Sequence, residues 1–329
     1  VSQNTIVLIS RNAVDYLFAE QVSKSLGVRF AQAESKDKLH EILCENLGCF
    51  ILWDYDSVLE KRTEDAKFNR ELLEYFEKHR VWHRVFAISS HPLRDTILPG
   101  NFHLFSKYLL RNFSLEATKV YSYIIHNILL PNPFETHAAG IDDLQIQKSR
   151  ITNASRKKAT LEALAIILEK KTIPKRIATS IIRATDELVL NAVFDAPIDL
   201  KGNRYKHNND RGEDFDLTKK EEVEIELIST QSFLQISVTD YFGSLDKEDF
   251  VPLLSKNFQK QEVSEGNAPK ADRGLGLYQI LNSGLSMQMV IDPGKRTRMS
   301  LVVPWVANVR ELRDSFRFFC LRMKTSGQA

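Results

Sequence analysis

Cysteine is scarce in this chain: Cys44, Cys49 and Cys320 are the only three in 329 residues. An odd number without metal-ligand spacing supports neither a disulfide framework nor a zinc site, and a reducing, cytoplasmic setting is expected. An excess of one charge is also missing. With 45 basic and 43 acidic residues the formal net charge is +2, so no global field recruits nucleic acid or an anionic membrane. Long hydrophobic runs are absent too. The most apolar later stretch, residues 121–130, contains Ser122, His126 and Asn127 and stops at Pro131, too short and too polar to span a bilayer. No basic n-region precedes the apolar residues 5–10, so no signal peptide is expected. There is no internal repeat and no low-complexity segment. What is left, 43% hydrophobic and 27% charged residues, suits a soluble globular protein whose length suggests two domains.

Over residues 1–130, short apolar runs alternate with longer amphipathic stretches. Residues 5–10, 28–31, 49–53, 85–89 and 102–105 read as strands, and 14–26, 36–46, 65–78 and 115–129 as helices. Such alternation predicts a parallel sheet covered on both faces, with its working edge at the carboxyl ends of the strands. The third strand runs into Asp54-Tyr-Asp56, Ser89 and Ser90 close the fourth, and Lys107 follows the fifth.

This order and spacing resemble the receiver domain of two-component signalling, a flavodoxin-like fold. Asp54 stands where a receiver carries its phospho-accepting aspartate. The departure is after the first strand, where receivers place acidic residues that hold magnesium and this chain has Ser10-Arg11-Asn12. Losing those carboxylates removes the ligands a hard cation needs. Arg11 could replace the cation and pair with Asp54. The expectation is a pseudo-receiver used for docking or dimerisation, with Asp54 as a structural strand-end residue; the alternative is a phosphorylatable Asp54 in a degenerate site.

Pro131-Asn-Pro133 breaks the chain, and residues 131–172 read as a linker followed by a first helix with a basic start (Arg150, Arg156, Lys157, Lys158). Thr172-Ile-Pro174 then begins the most informative helix. Ile177, Ile181, Ala184, Leu188 and Ala192 form an apolar stripe, while Glu187 and Asn191, one turn apart, leave a common face. They are either two solvated residues or a site, because an acid and a carboxamide are costly to bury without a partner.

Residues 198–220 are polar and loop-like. Two alternating strands follow, at 222–229 and 233–239, and the second runs into Asp240-Tyr-Phe-Gly243. A long, lysine-containing connection at 244–273 has the length of a functional lid. It leads into Arg273-Gly-Leu-Gly-Leu-Tyr278, a Gly-x-Gly that opens a helix, where backbone N–H groups can face phosphates. A strand, a turn at Asp292-Pro-Gly294 and a last strand follow, with Thr297 at its start.

Taken in order, these features resemble the GHKL ATPase family, which includes histidine-kinase catalytic domains, anti-sigma serine kinases, gyrase and MutL. The resemblance covers residues 150–305, with 173–329 as the ATP-binding domain, and implies a two-layer α/β sandwich with a mixed sheet. It implies ATP and Mg2+ as cofactors. Asn191 would ligate the magnesium, Glu187 would polarise water or an acceptor hydroxyl, and Asp240, supported by Thr297, would accept a hydrogen bond from the adenine amine. Gly243 would shape the adenine loop. Gly274, Leu275 and Gly276 would give N–H groups to the phosphates, with Lys270 or Arg273 adding charge. Phe242 stiffens the first glycine box, and no basic residue follows Asn191 in Ala-Val-Phe-Asp195.

Neither His126 nor His137 lies in a dimerisation module of the kind a histidine kinase needs. The arrangement is most similar to the anti-sigma serine kinases. That implies a bacterial-type, cytoplasmic signalling protein: a serine/threonine kinase or partner-switching regulator whose partner is a sigma factor, an antagonist or a response regulator. The alternative is a non-catalytic, nucleotide-dependent interaction module. Leu161, Leu164 and Leu168 or the first domain's outer helices could form a homodimer.

Overall fold

Every residue of β1 (Thr5–Ile9) is buried, which places this strand inside a sheet and not at its edge. In the computed structural model β1 pairs in parallel with β2 (Arg29–Gln32) on one side and β3 (Cys49–Asp54) on the other. The structure describes residues 4–46, 48–59, 65–93, 107–138, 141–153, 155–211, 213–246 and 275–324. Two units emerge. The first comprises residues 1–142 with 316–320, and the second 143–315 with 321–329.

The first unit continues with β4 (Val85–Ser89) and β5 (Lys107–Leu110), giving the parallel order β2-β1-β3-β4-β5. Its helices are α1 (Ala13–Leu26), α2 (Lys36–Glu45), α3 (Asp56–Leu59), α4 (Ala66–His79) and α5 (Leu115–Leu129). Local chemistry sets their ends. The Asn12, Ser35 and Ser114 side chains accept from the N–H groups of Val14, Lys38 and Ala117, and Gly27, at φ +63°, closes α1. Both sheet faces are covered. Val7, Ile9, Ile51 and Trp53 pack with Leu39, Leu72 and Phe76 of α2 and α4. The alternate positions Ile6, Leu8, Phe50 and Leu52 are equally buried on the opposite face. The strand expected at 102–105 lies outside the described residues. Lys107 therefore begins β5 and does not follow it; its Nζ donates to the His83 carbonyl. The residue after the strand is Arg111. Phe318–Cys320 adds antiparallel to β5.

The first unit also runs past residue 130. Asn127 accepts from the His137 N–H and donates to its carbonyl, and Phe134 is buried. The expected linker is largely structured: residues 145–151 form β6 (Gln145–Ile151), antiparallel to β7 (Val223–Ser229). An edge strand with six exposed residues shows no apolar alternation, which is why its sequence reads as a connector.

The second unit has the order β6-β7-β8-β10-β9, with β8 (Phe233–Asp240), β9 (Ser286–Asp292) and β10 (Arg296–Pro304), each pair antiparallel. One face carries Ile225, Val238, Ile236, Leu301 and Met289, all buried or nearly so. The other is polar: the Ser237 and Ser300 hydroxyls hydrogen-bond at 2.8 Å. Helices α6 (Arg156–Lys170), α7 (Lys175–Leu190) and α8 (Leu275–Asn282) pack with α7 in the middle. A short α9 (Val309–Asp314) and β11 (Phe318–Met323) end the described chain. The fold is α/β, with parallel and antiparallel pairing both present.

Candidate functional site

Helix α7 does not end at Leu190 but widens. Asn191–Asp195 form one π turn, in which the Ala196 N–H donates to the Asn191 carbonyl at 2.8 Å. Pro197 has no N–H to carry the ladder further. Single π turns in helices are frequent at functional sites because they re-aim side chains. Glu187 and Asn191 flank this junction and are both half-buried. Among the described residues, neither side chain has a hydrogen-bond or ion-pair partner. The adjacent acid differs: Asp186 pairs with Lys157 at 2.9 Å. Burial raises the Glu187 pKa above the usual carboxylate range, partly offset by Arg211.

The loop at 198–220 folds back on the π turn. His207 Nδ1 lies 2.5 Å from Asp195, Arg211 lies 3.6 Å from the same carboxylate, and Arg204 donates to the Asp195 carbonyl at 2.8 Å. Tyr205 and Lys206 reach Glu221 at 2.8 and 2.9 Å, anchoring the loop's other end. Arg211 was not visible as a site neighbour in the sequence, since nothing local links it to Glu187.

Asp240 ends β8 on the apolar, helix-facing side and is 5% exposed. Its Oδ1 accepts the N–H groups of Phe242 at 2.9 Å and Gly243 at 3.1 Å. Burial pushes its pKa up to about 6 in spite of those two donors. Thr297, the second residue of β10, is its register partner; the threonine hydroxyl is close enough to ease ionisation but completes no hydrogen bond. Gly243 has φ +59°, and a Cβ there would lie 2.3 Å from the Asp292 carbonyl oxygen and 2.7 Å from the Arg296 nitrogen. Only glycine lets this loop seat on the β9–β10 turn. Ser244 then ties the loop to the π turn by donating to the Ala196 carbonyl at 2.7 Å.

The structure thus places Glu187, Asn191, Asp240, Gly243 and Thr297 in one unit, with β8 packed beside the π turn and α8 beside α7. Leu275 and Gly276 are the first two residues of α8. Lys270, Arg273, Gly274 and most of the 244–273 connection lie outside the described residues.

In the first unit, Asp54 ends β3, but Arg11 is not its partner. Arg11 points outward to Asp65 at 3.3 Å. The cation is Arg111, just past β5: Nη2 is 2.5 Å from Asp54 Oδ1, Nε is 2.8 Å from Asp15, and Nη1 reaches Asp56 and Ser90. The acid that seemed missing after β1 comes from Asp15, inside the first turn of α1 and held by the Ser10 hydroxyl at 2.7 Å. Burial raises the Asp54 pKa, with Arg111 only partly offsetting it. At Asp56 burial acts in the same direction, but the Ser89 hydroxyl and the Ser90 N–H outweigh it and hold the carboxyl below the usual range. Burial opposes the charge on Arg111, and the carboxylates more than restore it.

No protein-family model matches the chain, and no curated protein matches it. Among solved structures, a chain of the SiaB-SiaC complex from Pseudomonas aeruginosa is similar, with 13% identity and a TM-score of 0.28 over 49% of this chain and 89% of that one. A likeness that weak carries no argument about activity. No helix among the described residues is long and apolar enough to cross a membrane.

Proposed function

We propose that the second unit binds ATP with magnesium beside the π turn and couples the nucleotide to a signalling partner, as a serine/threonine kinase or a partner-switching regulator. The observation that carries this reading is the pair Glu187 and Asn191, half-buried on one face and without partners among the described residues. Polar groups held this way cost free energy unless a ligand completes them. Asp240 adds a buried carboxyl at a strand end, its Oδ1 held by the Phe242 and Gly243 N–H groups.

The residues suit the cofactor. Magnesium bound to a nucleotide keeps most of its ligands as phosphate oxygens and water and takes few from protein. Asn191 offers one neutral carboxamide oxygen, and no group of three or more ligating side chains occurs among the described residues. ATP with its magnesium supplies the phosphoryl group and the charge neutralisation that loosens it. Asp240 would accept from the adenine amine, with Gly243 and Thr297 fixing its loop. Glu187, its pKa raised by burial, would orient the acceptor hydroxyl and take its proton. Lys270, Arg273, Gly274, Leu275 and Gly276 remain the proposed phosphate contacts. The first unit, with its aspartate paired to Arg111, serves as a docking or gating pseudo-receiver. The partner is a protein of the sigma-factor, antagonist or response-regulator type.

One observation favours the non-catalytic reading. The position that ends the π turn is an acid, Asp195, paired with His207 and Arg211, so this turn adds no net positive charge for phosphates. Nucleotide binding by wild type, Asp240→Asn and Asn191→Ala tests the site; unchanged ATP affinity in Asp240→Asn sinks the reading. Labelled ATP with magnesium and candidate partners then separates transfer from binding alone.

A further inference from the structure

The first unit contains a second candidate site, independent of the nucleotide reading. A cleft of about 870 Å3 opens at the carboxyl ends of β1, β2 and β3. In the order β2-β1-β3-β4-β5 the chain changes direction at β1/β3. Doubly wound sheets bind their ligands in the crevice at that switch point. The volume falls in the range of small-molecule sites, roughly 300–1,000 Å3.

The lining specifies the ligand's charge. Glu34, Asp54 and Asp65 contribute carboxylates, and among the described residues Arg11 is the one basic lining residue, already paired with Asp65. Asp54 is the decisive group. It is 7% exposed, and both of its side-chain hydrogen bonds, from Arg111 and from the Asp56 N–H, use Oδ1. Among the described residues none donates to Oδ2. The single guanidinium of Arg111 faces three carboxylates, Asp15, Asp54 and Asp56, so the wall behind the cleft stays net negative. Phe68, half-buried, adds aromatic surface to the same lining, a setting that attracts organic cations.

We propose that this cleft binds a small organic cation, an alkyl ammonium or guanidinium group, that donates to Asp54 Oδ2 and Glu34 and lays its apolar part against Phe68. A compact metal ion fits less well: no group of three or more ligating residues is assembled among the described residues, and the space exceeds what an ion fills. The cation's source is either a free small molecule or the side chain of a docked protein. Both present the same chemistry.

The test is isothermal titration of the full chain with agmatine, with a capped arginine peptide, and with butyrate as an anionic control. Saturable agmatine binding that weakens about tenfold in Glu34→Gln, the loss of one charge-assisted contact, and that falls with added salt, supports the proposal. Glu34 is exposed, so this variant keeps its fold. Asp54→Asn, verified as folded by circular dichroism, should bind more weakly still. Agmatine binding without peptide binding assigns a free ligand, and equal or tighter peptide binding assigns a partner's side chain. The proposal is overturned by failure of both cations to saturate, by butyrate binding as tightly, or by unchanged affinity in both folded variants.

Discussion

Arg111 Nη2 donates to Asp54 Oδ1 at 2.5 Å, while the rest of the same guanidinium holds Asp15 and Asp56. A fixed side-chain cation thus stands among the carboxylates at the end of β3. It arrives along a strand and not from solution, so it cannot exchange. The arrangement makes the first unit's charge balance a property of the fold.

Removing that cation should be costly. In Arg111→Met three carboxylates, all buried, lose their common partner, and breaking a buried pair from one side costs roughly 3–5 kcal/mol. Urea unfolding at pH 7 should show a loss of that order. The loss should shrink as pH falls and the carboxyls protonate.

Asp54 should not behave as a phospho-acceptor. Arg111 occupies one carboxylate oxygen and the position that a divalent cation would need. Incubation with acetyl phosphate and magnesium should leave the first unit unlabelled. Magnesium-dependent label that disappears in Asp54→Asn would show that Arg111 yields its place.

Asp240 gives a stability signature of its own. Its pKa is raised from 3.8 to about 6 by burial, so between those values the native state holds a proton that the unfolded state has lost. Stability therefore falls as pH rises from about 4 to about 6 and stays lowered above it, by up to about 3 kcal/mol at 1.36 kcal/mol per pH unit. Asn at this position keeps an oxygen for the Phe242 and Gly243 N–H groups without the charge. Asp240→Asn should be more stable than wild type by about 1–3 kcal/mol at pH 7, with no difference near pH 4, and should lose ATP. Wild-type ATP affinity should itself decline as pH drops through 6. A residue that costs stability and carries binding is expected of a site.

Gly243→Ala tests the loop beneath it. The added Cβ meets backbone atoms of 292–296 that cannot rotate away, at a φ of +59° that L residues disfavour by about 1–2 kcal/mol. Total destabilisation of at least about 2 kcal/mol is expected by thermal or chemical unfolding, with ATP affinity falling further as Asp240 loses its two donors.

What could be read in the sequence follows from how local each interaction is. β7 and β8 alternate cleanly and were placed almost to the residue, and the Glu187/Asn191 spacing needs only helical geometry. β6 is an exposed edge whose Lys148 and Arg150 pair with Glu226 and Glu222, so no hydrophobic period announces it. Arg111 carries no local signal for a different reason: its partners lie 96, 57 and 55 residues away. Arg11, beside the first strand, was the nearer candidate on paper, but the end of β5 delivers Arg111 into the site. Asp15 was hidden in the same way, since its helix position says nothing about the Ser10 contact that turns it inward. The π turn has no sequence period at all; only Pro197 hinted that the helix ends under constraint.

Glu187 separates the catalytic reading from the binding one. If it takes a proton from an acceptor hydroxyl, Glu187→Gln removes the base while leaving size and polarity, and transfer should fall by about 10²–10⁴-fold with ATP affinity nearly unchanged. Because burial raises its pKa, the ascending limb of the pH–rate profile should lie above the ordinary glutamate range, and that limb should vanish in the glutamine variant. Arg211 is the group that lowers this pKa most; Arg211→Ala should move the limb to still higher pH without unfolding a residue that is largely exposed. A wild-type protein that binds ATP yet shows neither transfer nor hydrolysis at any pH would leave Glu187 as a pocket wall. In that case ATP acts by favouring one conformation for a partner, and partner affinity, measured with and without nucleotide, becomes the quantity that Asn191→Ala should change.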